Sequence, residues 1–411
     1  MLIHQGIIRQ TLLVLYLLLN YDSIQGKTLL SKVEELELEE KFKLLNKPSV
    51  KTIKSKFGDI YDCVDFYKQP AFDHPLLKNH NFHPEMKPTL ARSKQNSSTS
   101  QTNWSSRLWS KLDDGCPFGT VPIRRITKED LIRQRNMPPP EDVISDAELT
   151  TMNNKRESKR RYISSQGYKL AIVRTPYNPN NKFTGAGMSS SLYNPQVEGQ
   201  QHSACRLKIQ KESDIIQVGW RVDPTLYKDN KTRLFVHFQA GDKHCFNTLC
   251  PGFVQVYPDI PVDIVFNDTS QRGVGGSWEF PMLIERDEAN GNWWLLLDER
   301  NIHIGFWPQK IFTSLTGFAN NIEWGGVAYS PPGVPKPPMG SSYFPIGNTG
   351  YDAYCGKLTV LNHKGVLINI YRTLVRVDDT NLYRLIDDPR MGPGKLKHYV
   401  LYGGPGESQQ L

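Results

Sequence analysis

Nowhere do the 411 residues hold the ~20 consecutive apolar side chains that a bilayer-spanning helix needs. The longest apolar run, TLLVLYLLL at 11–19, follows Arg9 and gives way to the polar NYDSIQG. That pattern predicts a cleaved secretory signal over 1–26 and no stable membrane anchor. The six cysteines include no CxxC pair, which argues against a zinc ribbon or a thioredoxin-type motif. Behind a secretory signal, six cysteines read most simply as three disulfides formed in an oxidising compartment. No internal repeat of fixed period is present. The glycine-rich GVGGSW at 273–278 has no helical run after it, so it reads as a turn and not a phosphate cradle. The net charge of +8 and pI of 9.0 permit binding to polyanions. That charge is scattered and no nucleic-acid motif accompanies it, so no nucleic-acid partner is expected. His237, His244, Cys245 and Cys250 lie close in sequence. In an oxidising compartment they do not make the four-ligand set of a structural zinc, so neither a metal nor a cofactor is expected.

What is present divides the chain in two. Leu38, Phe42 and Leu45 fall at helical spacing, with Ser31 and Glu34 in a capping-box relation, which predicts a short amphipathic helix ending before Pro48. Tyr61, Cys63 and Asp65 alternate as in a strand until Pro70 and Pro75 impose an irregular loop. Residues 88–112, rich in Ser, Thr, Asn and Gln, read as an exposed loop. A polar, charged stretch ending in KRESKRR places a domain boundary near Arg161; the basic cluster reads equally as a processing site or a solvated linker. From 162 to 411 the chain becomes a series of short Val/Ile/Phe/Tyr/Trp-rich runs separated by Gly, Pro, Asn and Asp. Such spacing predicts an all-β, antiparallel sandwich or barrel. The one good helix candidate there is PQKIFTSLTGFAN, with Pro308 near its start. Asn96, Asn103, Asn230 and Asn267 open N-x-S/T sequons, which makes a secreted chain a candidate glycoprotein.

One run, SDIIQVGWRVDP at 213–224, places Ile216, Val218, Trp220 and Val222 on one face of a strand and Gln217, Gly219 and Arg221 on the other. It belongs to an ordered series of motifs that resembles a known family. YDCVDFYKQPAFDHPLLKNH and CPFGTVPIRR resemble the activation-peptide region of the neprosin family of glutamic, proline-directed endopeptidases. GWRVDPTLYKDNKTRLF, CFNTLCPGFVQV, GNWWL, GFWPQKIFTSL, IEWGG, MGSSYFP and YGGPG resemble successive motifs of its peptidase domain. The resemblance runs from about Leu44 to Gly406. It implies a secreted zymogen, extracellular or in cell wall or vacuole. Residues 27–161 would be a smaller α+β activation-peptide-like domain docked on the cleft, and 162–411 a sandwich of two large antiparallel sheets. It also implies two catalytic glutamates acting after proline in acid.

By that resemblance the first glutamate falls on Gln217 and the second, directly after Trp-Gly-Gly, on Val327; both carboxylates are missing. Glutamine can donate a hydrogen bond to an oxyanion, but valine offers neither proton transfer nor a hydrogen bond. Glu323, on the same pleat face as Val327, stands ~13 Å away along a regular strand, which leaves it a weak substitute base and more plainly a structural residue. Trp220, Trp293, Trp294 and Trp324 are candidates for a peptide cleft, because flat aromatic faces suit proline rings. Core packing is the alternative for at least half of them. The resemblance implies a Cys245–Cys250 loop. Cys63–Cys116 is assigned to the N-terminal part, and Cys205–Cys355 to a bridge replacing a C-terminal pair whose positions here are Leu382 and Glu407. The leading expectation is a secreted pseudoenzyme that binds proline-containing peptides or extracellular proteins. The alternatives are an active acid endopeptidase with a non-standard dyad and a polyanion-binding protein.

Overall fold

The computed structural model describes residues 32–89, 112, 115–141, 167–299, 301–370, 372–391 and 398–407. The signal segment, the Ser31 cap, Asn96, Asn103, the KRESKRR cluster and the boundary near 161 lie outside the described residues. A helix over 32–45 ends before Pro48, where the periodicity places its end. Three strands, β1 (Ser49–Lys54), β2 (Ile60–Asp65) and β3 (Thr120–Arg124), then form a small antiparallel sheet in that order. A disulfide from Cys63 to Cys116 closes one side of it. A second helix, Lys128–Gln134, starts at a capping box: the Thr127 hydroxyl accepts from the Asp130 N–H, and the Asp130 carboxylate accepts from the Thr127 N–H.

The remaining strands make two large sheets. The first has seven strands: β4 (Tyr168–Arg174), β6 (His202–Lys211), β7 (Asp214–Val222), β8 (Arg233–Ala240), β9 (Lys243–Phe246), β14 (Asn321–Tyr329) and β18 (Leu374–Val377). Their order is β18-β4-β14-β6-β7-β8-β9. The second has ten strands: β5 (Gly185–Ser191), β10 (Val254–Gln255), β11 (Glu279–Arg286), β12 (Trp293–Leu297), β13 (Ile302–Trp307), β15 (Met339–Gly340), β16 (Ala353–Leu361), β17 (Leu367–Asn369), β19 (Arg384–Asp388) and β20 (Tyr399–Gly404). Every recorded strand pair is antiparallel. One continuous core joins the inner faces, with Val173, Leu207, Ile209, Val218, Trp220 and Trp324 meeting Met188, Met282, Ile284, Leu295, Val360 and Tyr402. The architecture is therefore an antiparallel sandwich preceded by a small α+β part, as the period-2 alternation of the runs predicts.

The expected helix over PQKIFTSLTGFAN is absent; only Gln309–Ile311 forms a 3-10 turn. The reason lies across the chain. The carboxylate of Asp214 accepts the N–H groups of Thr313, Ser314 and Leu315 and the Thr313 hydroxyl, so these donors are satisfied without a helix. The run VDIVF likewise forms no extended strand and contributes only the isolated bridge between Val265 and Arg233.

Two further expectations change. Trp220, Trp293, Trp294 and Trp324 are all fully buried, so none lines an open cleft. The indole N–H groups of Trp220, Trp293 and Trp324 are spent on the carbonyls of Ser191, Leu315 and Gly187 respectively. Trp294 faces away from the sandwich core and packs with Phe306 and Leu296 against Val64, Phe66, Val121 and Ile123 of the N-terminal part. Cys245 and Cys250 are disulfide-bonded, but Cys205 and Cys355 are free, buried thiols with their sulfurs 2.9 Å apart. Strands β6 and β16 of opposite sheets thus bring the pair together across the core without a covalent bond.

Candidate functional site

Alternation sends one set of seven-stranded-sheet side chains into the core and the other set to the outer face. Strand register arranges the outer set in rows. One row reads Arg174, Glu323, Lys208, Gln217 and His237 across β4, β14, β6, β7 and β8. The next reads Ile172, Gly325, Arg206, Gly219 and Phe235, and the one after it Leu170, Val327, Ala204, Arg221 and Arg233.

These rows decide which residues can cooperate. Gln217 and Val327 share the face, yet they are separated by two strands and four residues, roughly 16 Å between Cα atoms at ordinary strand spacings. Val327 is buried in an apolar cluster with Tyr168, Leu170, Ile172 and Tyr329. Glu323, in contrast, occupies Gln217's own row two strands away, roughly 10 Å between Cα atoms. Neither pairing of β14 shows a register shift between Glu323 and Val327, so no bulge shortens the distance between those two.

The Glu323 carboxylate is fully buried and committed. Its Oε2 meets the Arg206 guanidinium at 2.7 Å and Lys208 Nζ at 3.5 Å, and its Oε1 accepts from the Asn321 amide at 3.3 Å. Burial alone pushes its pKa up, but Lys208, Arg206, Arg376 and Arg174 together outweigh it and hold the acid down at about 2. Lys208 stands between Glu323 and Gln217 in the row, so a cation separates the acid from the amide. The Gln217 side chain is buried. Its neighbour His237 is also buried, with neither ring nitrogen partnered among the described residues. Burial first, and then His244, Arg221 and Lys208, lower its pKa well below the ordinary imidazole value and keep the ring neutral.

The N-terminal part reaches this face. Past the second helix, the segment Met137–Glu141 runs over it without regular structure. Met137 packs against the cluster of Ala204, Leu226, Tyr227, Phe235 and Phe246. The Pro139 carbonyl accepts from the Tyr168 hydroxyl at 2.7 Å. The Glu141 carboxylate takes Arg206 Nη2 at 2.8 Å and Nε at 3.2 Å. Arg206 therefore bridges two carboxylates, one from each part of the chain. Elsewhere Arg233 of β8 forks onto Asp59 at 2.9 and 3.1 Å, and Gln69 exchanges hydrogen bonds with the Gln255 backbone.

Of the sequons that the structure describes, Asn230 is exposed and Asn267 half-buried. Among the described residues no cluster of His, Cys, Asp and Glu has the arrangement of a metal site. The signals that sequence reading missed are Arg206, Lys208 and Glu141: basic residues on the polar side of a strand look like solvated charge until register shows what faces them.

The fold is thus a two-sheet antiparallel sandwich with a buried polar row on one outer face, and residues 137–141 of the N-terminal part lie over the neighbouring row at Arg206 and Phe235. The family model described as Neprosin matches residues 199–405 and that described as Neprosin activation peptide matches 52–174. The chain belongs to the neprosin family. Among solved structures it is similar to scytalido-glutamic peptidase with a peptide-based transition-state analogue, at 8% identity and a TM-score of 0.31, over 58% of this chain and 98% of that one. It is also similar to SCP-B, a member of the eqolisin family of peptidases in complex with the tripeptide Ala-Ile-His, at 8% identity and a TM-score of 0.32 over the same shares.

Proposed function

We propose that this protein is a secreted, catalytically silent neprosin that holds proline-containing peptides or proteins against the outer face of its seven-stranded sheet. The observation that carries the reading is the state of Glu323. A glutamic peptidase needs a carboxylate free to take a proton from water and a donor for the oxyanion. Gln217 retains the donor. The carboxylate in its row is bound on both oxygens and paired to two cations, and removal of a general base costs roughly a hundredfold or more in rate.

A second reading is favoured by one observation: Gln217 and Glu323 share a row, so a Gln/Glu pair acting in acid is geometrically available once the covering segment leaves. A mixed peptide pool incubated with the full chain between pH 2.5 and 5 and read by mass spectrometry separates the two. The silent reading expects no cuts after proline from either the natural chain or Glu323→Gln. Cutting by the natural chain that Glu323→Gln abolishes would establish the second reading in its place.

A further inference from the structure

Resting on the reading of this face as a peptide-binding surface, we infer that its ligand is an acidic peptide strand of polyproline form, and that Arg206 is the residue that selects its carboxylate. Met137–Glu141 is then a tethered stand-in for that ligand.

Three observations converge. The first is charge. With Glu141 in place, the cations Arg206 and Lys208 face the anions Glu323 and Glu141. Without Glu141, Arg206 keeps only the Glu323 carboxylate, which it shares with Lys208, and a buried charge left poorly paired is costly. The neighbouring Arg221 is satisfied within the fold by Asp223, so the deficit belongs to Arg206. Nη1 of Arg206 has no hydrogen-bond partner among the described residues, which leaves a further donor for an incoming anion. A strand that displaces the segment must bring its own carboxylate to restore the balance.

The second is backbone chemistry. A peptide lying flat on a sheet's face meets side chains and not the edge N–H and C=O groups that pair with a β-strand. Proline has no N–H to leave unsatisfied, and a polyproline helix has no internal hydrogen bonds to give up. Pro138, Pro139 and Pro140 supply that property, and the Tyr168 hydroxyl answers the Pro139 carbonyl.

The third is spacing. Four residues of polyproline helix span about 12 Å. Phe235, which helps form the Met137 pocket, and Arg206 lie in one row two strands apart, about 10 Å. Gly219 stands between them, so no intervening side chain blocks the path. The pattern that fits is an apolar residue, three prolines and an acid.

The test uses the full chain carrying Glu141→Gln, which keeps the segment's volume and removes its charge. Two fluorescent peptides are titrated by anisotropy, one reading Met-Pro-Pro-Pro-Glu and the other Met-Pro-Pro-Pro-Gln. The acidic peptide is expected to bind about tenfold to a hundredfold tighter, the range for a charge-assisted bidentate contact, and to bind the unaltered chain more weakly because Glu141 competes. Arg206→Gln should equalise the two peptides; if that variant fails to fold, the peptide pair on the Glu141→Gln chain still decides. Equal binding of both peptides overturns the role of Arg206 while leaving the peptide-binding reading in place. Binding of neither peptide overturns both.

Discussion

Replacing Glu323 by glutamine should destabilise the protein by an amount that fades with acid. In the folded chain this acid is held at about 2, against its ordinary value of 4.5. A depressed carboxylate pKa contributes stability that is fully present above the unfolded value and is lost as the pH falls through the folded one. A difference of this size corresponds to about 3 kcal/mol at neutral pH. Because glutamine imitates the protonated acid, the gap between natural chain and variant should stay near ~3 kcal/mol from pH 7 to 4.5. It should shrink to roughly half of that by pH 3 and nearly vanish by pH 2, as the pH falls through the folded-state value. Urea unfolding of both chains at these pH values measures the gap directly, and the titration of other carboxylates cancels between them. A gap that is absent at pH 7, or that stays constant down to pH 2, would refute the ion-paired state of Glu323 and with it the case for a disabled base.

The thiol pair and the core tryptophans give two further tests. Alkylation of the native protein should label no cysteine, whereas denaturation without reductant should expose two of the six, Cys205 and Cys355, as peptide mapping would read; finding both protected after denaturation would mean they are joined. Trp220→Phe should lower unfolding stability by about 1–3 kcal/mol, through loss of the hydrogen bond to Ser191 and some packing, measured by urea denaturation. The same change should leave peptide affinity on the outer face unaltered, since Trp220 points into the core; a tenfold loss of affinity would return it to the binding surface.

Much of this protein was legible in its residues. Ile216, Val218, Trp220 and Val222 alternate with Gln217, Gly219 and Arg221, and a period of two has only one regular solution, so the strand and its two faces follow from sequence. The same local logic failed for 308–320, because the carboxylate that captures those N–H groups comes from Asp214, about a hundred positions earlier. Tryptophan character alone does not tell a cleft from a core; only the stacking of two sheets puts Trp293 and Trp324 inside. Sequence alone determined the strand periodicity and the family motifs. Tertiary structure decided that Glu323, and not position 327, shares a row with Gln217. It also decided that Arg206 and Lys208 neutralise that acid and that Glu141 reaches over to join them. Register between strands far apart in the chain sets those meetings, and charge pairing in a buried place depends on distances that no local pattern encodes.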